Sequence, residues 1–216
     1  MSRPKIARKS TNIDMTAMCD VAFLLLSFFI LTTKFKPAEA IPVTTPSSVA
    51  AKAAPDKDIV LITIDKTGRV FLSMDDKQKK EAIANTLNTT KNLGINVNAF
   101  KNAAFIGGSF SQLSSFLAIP DENRKGPSLP GIPTDTTKGA NELIEWMHLV
   151  TDAYTGQKPN ILLKGDNLAK YPAFKSVITA FKKNEIFKFQ MITNPESVPV
   201  GSELWKNNQK GEKRED

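Results

Sequence analysis

The chain reads as a single-pass membrane protein: one N-terminal transmembrane helix, then an α/β domain in which a mixed sheet carries helices packed on one face. Three observations predict this. Residues Met15 to Thr33 are an apolar run of nineteen with a single charged side chain. Residues 59 to 72 read as two apolar runs on either side of a Gly-containing turn, a β-hairpin, and residues 160 to 193 read strand, helix, strand. The 183 residues that follow the run are enough for one core of ordinary size.

At 1.5 Å per residue the apolar run spans roughly 28 Å, the thickness of bilayer hydrocarbon. The charged residue within it is Asp20, about 8 Å in from Met15 on the N-terminal side. An acid part-way along a span costs about 2.5 to 3.5 kcal/mol on insertion scales, so a plain anchor would do better without it. A carboxyl that can be neutralised by a proton and ionised again, given partner hydroxyls or a water file, is the natural relay in such a layer. On helical spacing Thr16, Asp20, Phe23 and Ser27 share a face, which makes Thr16 and Ser27 candidate supports for a proton path. One helix alone leaves that stripe facing lipid, so partner helices are implied.

The same segment fits a cleavable signal peptide, with Arg3, Lys5, Arg8 and Lys9 as the basic region and Ala38-Glu39-Ala40 as an A-x-A-like cleavage site. Against cleavage stand the length of the run, the acid at its start and the Lys34-Phe35-Lys36 flank. Four basic residues before the span and two close after it predict a cytoplasmic N-terminus and an exported remainder. The organisation is then an arm at 1–13, a transmembrane helix at 14–34, a Pro/Ala-rich linker at 35–57, a domain at 58–198 and a disordered polar tail at 199–216.

The formal charge of +7 is spread thinly, and no dense basic face with interleaved aromatics appears, which argues against nucleic acid as a partner. Contact with membrane lipid accounts for the basic arm. The single cysteine, Cys19, sits inside the span, so an intrachain disulfide is excluded.

Residues 37 to 55 hold four prolines among small residues and read as linker, although Ile41-Pro42-Val43 is a short extended patch able to add to a sheet edge and bind a partner. Asp65-Lys66-Thr67-Gly68 forms the hairpin turn, and Asp75 is placed to cap a helix running to about Asn88. Residues 92 to 140 are rich in Gly and Pro, with one apolar helix at 109–117. Gly107-Gly108-Ser109 lacks the Lys of a phosphate loop and reads as packing. Next, a helix at 141–154 puts Leu143, Met147 and Val150 on one face and Trp146 near the rim, while His148, the only histidine, has no ligand-spaced neighbours. In the last third a helix from Tyr171 to Asn184 joins strands at 160–164 and 188–193. Asp166, in the turn before that helix, has no second carboxylate or nucleophile at motif spacing, so it reads as a turn or cap residue. Nothing here forms a catalytic constellation or calls for a cofactor, and the expectation is a protein that is not an enzyme.

Ile13-Asp14-Met15-Thr16-Ala17-Met18-Cys19-Asp20-Val21, with Leu24-Leu25-Leu26 and Phe28-Phe29 behind it, resembles the transmembrane signature of the ExbD/TolR biopolymer-transport family. Leu162-Leu163-Lys164-Gly165-Asp166 followed by Tyr171 resembles the family's exported end, making Lys164, Asp166 and Tyr171 a structural motif, and Ile41-Pro42 is similar to its segment after the span. The resemblance implies a protein of the bacterial inner membrane with a periplasmic domain. It implies a homodimer whose helices sit inside a pentamer of ExbB/TolQ-like subunits, with Asp20 as the acid that takes up and releases protons. It further implies a TonB-like periplasmic client for ExbD-type members, or envelope constriction for TolR-type members. Asp14 and Ala17 stand where the family has Asn and Pro, and residues 92–140 have no counterpart in shorter members, which suggests a packed elaboration serving a partner contact. Outside the resemblance, a membrane-anchored module binding peptide or cell-wall polymer stays open, with Asp20 incidental.

Overall fold

The computed structural model describes residues 15–32, 41–49, 55–124, 129–134 and 141–209. The chain divides into two units, Met1–Glu39 and Ala40–Asp216, taken here separately. The first contains α1 (Met15–Thr32), an 18-residue helix with no buried residue, and among the described residues it is the one helix long and apolar enough to cross a membrane. The expected basic arm at 1–13 and the Lys34-Phe35-Lys36 flank lie outside the described residues.

The second unit is built on a mixed four-stranded sheet. β1 (Ser47–Ser48) lies apart from it; β2 (Ile59–Ile64) and β3 (Val70–Met74) form the hairpin, and β4 (Asn160–Gly165) and β5 (Gln190–Ile192) complete the order β3-β2-β4-β5. β2 pairs antiparallel with β3 and parallel with β4, so it is hydrogen-bonded on both sides. Because side chains alternate along a strand, Val60, Ile62 and Ile64 point together to one face, opposite Met74, Leu72 and Val70 of β3 and Ile161 and Leu163 of β4. All are buried. They form one core with Ile83 and Leu87 of α2 (Lys77–Lys91), Leu143, Met147 and Val150 of α5 (Glu142–Ala153), and Val177, Ala180 and Phe181 of α6 (Tyr171–Lys183).

The expected cap of α2 moves by one residue. Asp76 takes the N-cap position and accepts from the amides of Gln78 and Lys79 at 2.7 and 3.1 Å, while Asp75 accepts from the Ile59 amide at 2.8 Å and so ties the end of β3 to the start of β2.

Residues 92–134 carry α3 (Val97–Asn102) and a 3₁₀ turn at Phe110–Gln112 that continues into α4 (Leu113–Ala118). Their main task is at the outer edge of β3. Leu72 and Ile106 exchange main-chain hydrogen bonds at 2.9 and 2.7 Å, and the Ile132 amide donates to the Val70 carbonyl at 2.7 Å. The free edge is thereby paired, which removes a template for unwanted strand addition. Around that edge Phe71, Phe105 and Phe116 meet edge to face at 5.8 and 5.9 Å. Phe100 and Phe110 stack on Trp146 at 6.1 and 4.9 Å, leaving the indole fully buried rather than at the rim that the helical spacing of α5 alone indicates. Gly107 is tight packing: a Cβ there would stand 2.3 Å from the Phe71 ring.

The hairpin turn has its own lock. Asp65, 4% exposed, accepts from the Thr67 and Arg69 amides at 2.9 and 2.8 Å, from the Thr67 hydroxyl at 2.7 Å and from Arg69 Nε at 2.7 Å; Gly68 supplies the positive φ of 86°. Arg69 in turn donates through Nη1 to the Leu129 carbonyl at 2.7 Å, so the turn also fastens residues 129–132. Burial pushes the Asp65 carboxyl up, but the hydrogen bonds from Arg69 and Thr67 outweigh it and hold the group below the usual carboxylate range.

The remaining elements are β6 (Asn194–Pro195), which pairs in parallel with β1, and α7 (Glu203–Gln209), which lies in the stretch that composition marks as tail; residues 210–216 are outside the described residues.

Two outcomes follow for stability, both measured by urea unfolding of the detergent-solubilised chain. Gly107→Ala should cost about 1 to 3 kcal/mol through forced repacking at Phe71; an unchanged midpoint would show that residues 105–107 are not packed on the sheet. Asp65→Ala should cost about 3 kcal/mol at neutral pH by stranding Arg69 and the turn amides. Because the folded carboxyl titrates below its unfolded value of about 3.9, that contribution is complete well above pH 4 and fades as the pH falls through the lowered value, so wild type and variant should converge in acid.

Candidate functional site

Two places carry polar chemistry that the core does not absorb, one in each unit. On α1, Thr16, Asp20 and Ser27 lie on one face as the spacing requires, separated along the axis by about 6 and about 10 Å. The helix therefore aligns these groups without bringing Ser27 into reach of Asp20. Ser27 Oγ donates to the Leu24 carbonyl at 2.9 Å, and Thr32 Oγ1 to that of Phe28 at 2.7 Å. Such back-bonding occupies the hydroxyl proton and leaves the oxygen lone pairs to accept from another group. Asp20 is exposed on the isolated helix, as are its apolar neighbours. An exposed face of Phe23, Leu24, Phe28 and Phe29 is expected of a segment whose solvent is lipid or other helices, and it would be an aggregation hazard in water.

In the second unit, Ile41-Pro42-Val43 leads into an extended segment fixed to the fold. Ile41 packs partly buried against the core, Pro42 is exposed and Val43 half-buried. Next, the Thr44 amide donates to Asp166 Oδ2 at 2.9 Å and its carbonyl accepts from the Asn167 amide at 2.8 Å. Thr45, 8% exposed, donates its hydroxyl to Asn194 Oδ1 at 2.8 Å and accepts from Asn194 Nδ2 at 3.1 Å. The Asn194 amide donates to the Pro46 carbonyl and the Glu196 amide to that of Ser48, both at 2.9 Å, completing the β1–β6 ladder. The patch read from sequence as able to add to a sheet edge thus runs into a strand that pairs with its own domain.

Asp166 is the centre of this clamp. Its amide donates to the Ile64 carbonyl at 2.9 Å, its Oδ1 accepts from Leu168 at 2.8 Å, and its Oδ2 takes Thr44. One residue thereby joins the end of β2 through its amide, and the β4–α6 turn and the entering chain through its carboxylate. Lys164, half-buried on β4, stands opposite Thr63 in register, and Tyr171 is 71% exposed at the start of α6, so the three residues of the sequence motif occupy one end of the sheet in different roles. Asn194 escaped sequence reasoning: an Asn-Pro pair after a strand looks like any chain reversal, and its partner Thr45 lies 149 positions away.

His148 is exposed and pairs with Asp152, one turn on, at 2.8 Å. Among the described residues no group of three or more His, Cys, Asp or Glu side chains is placed to hold a metal ion.

Comparison with known proteins bears on the first of these places. The model of the family described as "Biopolymer transport protein ExbD/TolR" matches residues 7–105, which include α1, the entering segment, the hairpin and α2, and stop short of Lys164, Asp166 and Tyr171. A curated relative, the "Biopolymer transport protein ExbD" of Aquifex aeolicus (strain VF5), is 25% identical over 96 residues, covering 44% of this chain and 73% of the relative. No solved structure matches.

If Asp166 is what secures the entering segment, Asp166→Ala should speed amide hydrogen exchange at Thr44 and Leu168 about five- to tenfold, the loss of about 1 kcal/mol per bond, while amides in β2 keep their protection. Unchanged exchange at Thr44 would assign the hold to Asn194 instead.

Proposed function

We propose, on the premise that residues 7–105 make this chain a member of the ExbD/TolR family, that it is the inner-membrane subunit of a proton-driven energiser of biopolymer transport. On this reading α1 is the single span, the N-terminus is cytoplasmic and the domain from residue 58 stands in the periplasm. The observation that carries the proposal is Asp20, the one charged residue of an 18-residue apolar helix, exposed and on one face with Thr16 and Ser27.

Two copies, set inside a pentamer of ExbB-like subunits, would present two such carboxyls to hydroxyls and water supplied by the partner helices. A proton taken up from the periplasmic side neutralises Asp20 and lets it face apolar surface; release to the cytoplasm restores the charge and its demand for a polar partner. Each charge that crosses is worth about 2.3 kcal/mol per 100 mV, enough over successive steps to turn or shift the helix pair against its collar. The work passes to a TonB-like periplasmic protein that energises uptake through the outer membrane. The ExbD-type reading is preferred to a TolR-type one because the curated relative carries the ExbD name. The chain's part is coupling rather than turnover of a substrate.

Asp20→Asn, which removes the exchangeable charge at nearly constant volume, should abolish energised uptake while the complex with the ExbB-like partner still purifies intact. Ser27→Ala should reduce uptake less. Full uptake by the Asn variant would remove the proton role and leave an anchored binding module.

A further inference from the structure

The turn that receives the entering chain also holds two apolar side chains out in water. Leu168 is 73% and Tyr171 71% exposed, and Lys170 between them is exposed as well. Their positions are set by the backbone. Asp166 Oδ1 accepts from the Leu168 amide at 2.8 Å, the Ala169 amide donates to the Asp166 carbonyl at 3.0 Å, and the Ala173 amide closes on the Lys170 carbonyl at 3.1 Å. Pro172 then starts α6 with its φ already helical. These bonds fix the backbone that carries both side chains.

The same turn is bonded to Thr44, through the Asp166 carboxylate and the Asn167 amide. Eight residues, 33–40, join the last residue of α1 to Ile41, and nine peptide steps reach at most about 32 Å. If α1 is the span, the chain that leaves the bilayer makes its first hydrogen bonds to the domain, among the described residues, at this turn. A leucine, a lysine and a tyrosine also have the chemistry of the membrane–water boundary: an apolar side chain for the outer acyl region, an amphipathic ring for the headgroup level and a cation for lipid phosphate.

We propose that the turn at residues 166–171 docks on the surface of the anionic bilayer to which the chain is anchored, with Leu168 and Tyr171 in the interfacial layer and Lys170 on lipid phosphate. The occupant is lipid because the short tether ends here and the cation lies between the two apolar side chains. Docking rests on the reading of α1 as a transmembrane span.

The test uses the full chain with Cys19→Ser and a single new thiol, Leu168→Cys, carrying an environment-sensitive fluorophore, reconstituted in vesicles of phosphatidylethanolamine and phosphatidylglycerol containing a nitroxide-labelled lipid. A second chain labelled through Ser114→Cys, on the exposed side of α4, is the control. The fluorophore at 168 should emit to the blue of the one at 114 and be quenched by the nitroxide lipid. Lys170→Gln should lower the ratio of docked to free probe about fivefold, the worth of one lysine at an anionic surface. Emission at 168 like that at 114 overturns the proposal, as does a blue shift without lipid quenching, which would put protein over the turn. If carbonate washing strips the chain from the vesicles, the span itself fails and docking with it; a chain that stays bound with an unquenched 168 removes docking alone.

Discussion

A four-stranded sheet has two edges, and each offers a row of main-chain donors and acceptors that must find partners. Much of what distinguishes this domain is how those rows are answered. At β3 the answer comes from residues 92–134, whose Ile106 and Ile132 bond to Leu72 and Val70. Past β5 the chain goes on to Asn194 and Pro195, which pair in parallel with Ser47 and Ser48 as a separate two-stranded ladder. Between these ends β2 is bonded on both sides, and its Val60, Ile62 and Ile64 form the floor on which three helices rest. Residues 92–134 are therefore part of the domain's architecture, and the family model itself reaches residue 105. Removing them would uncover an edge, the Phe71 ring and a buried tryptophan together.

Three aspartates show how one residue type is turned to different ends by its surroundings. Asp65 is buried, yet hydrogen bonds from Thr67 and Arg69 hold it ionised, and its task is to lock a turn. Asp166 is half-buried and spends its carboxylate on two amides, so that an entering strand and a turn share one anchor. Asp20 stands on a helix whose neighbours are apolar and exposed, and on the reading of α1 as a span the surrounding lipid, and not a neighbouring arginine, decides what a charge there costs. The first two stabilise structure by accepting hydrogen bonds. The third, on that reading, takes its role from the medium and from partner helices.

Much of this was legible in the sequence, and the misses share a physical cause. The hairpin announces itself because two short apolar runs, the first rich in β-branched residues, flank Asp-x-x-Gly, and α5 and α6 because their apolar residues recur at three and four. Placing the α2 cap at Asp75 failed by one position since two adjacent aspartates offer the same side chain, and only the sheet shows that Asp75 is already engaged with Ile59. Trp146 looks like a rim residue along its own helix because its cover, Phe100 and Phe110, comes from a segment with no period of its own. The docking of residues 44–48 escaped for the same reason: a proline-rich stretch carries no signal for a partner nearly 150 residues away. Local pattern reports what a segment can do alone, whereas edges and covers are settled by segments that meet only in the fold.

On the reading of α1 as a driven span, the order of contacts along the chain determines how motion there would reach the domain. Among the described residues, the first contacts the chain makes with the domain after α1 are Ile41 on the core and then the Thr44–Asp166 pair, ahead of Thr45 and the β1–β6 ladder. Load entering along the chain would therefore meet the two hydrogen bonds at Thr44 before those of Asn194. Asp166 is covalently part of the turn between β4 and α6 and bonds to the end of β2, so load passing through its carboxylate enters the sheet at its central strands rather than at a loose edge. A link through β6 would instead lead by way of Ile192 into β5, an edge strand. Asp166 is thus the residue that joins the entering chain to the central strands of the sheet.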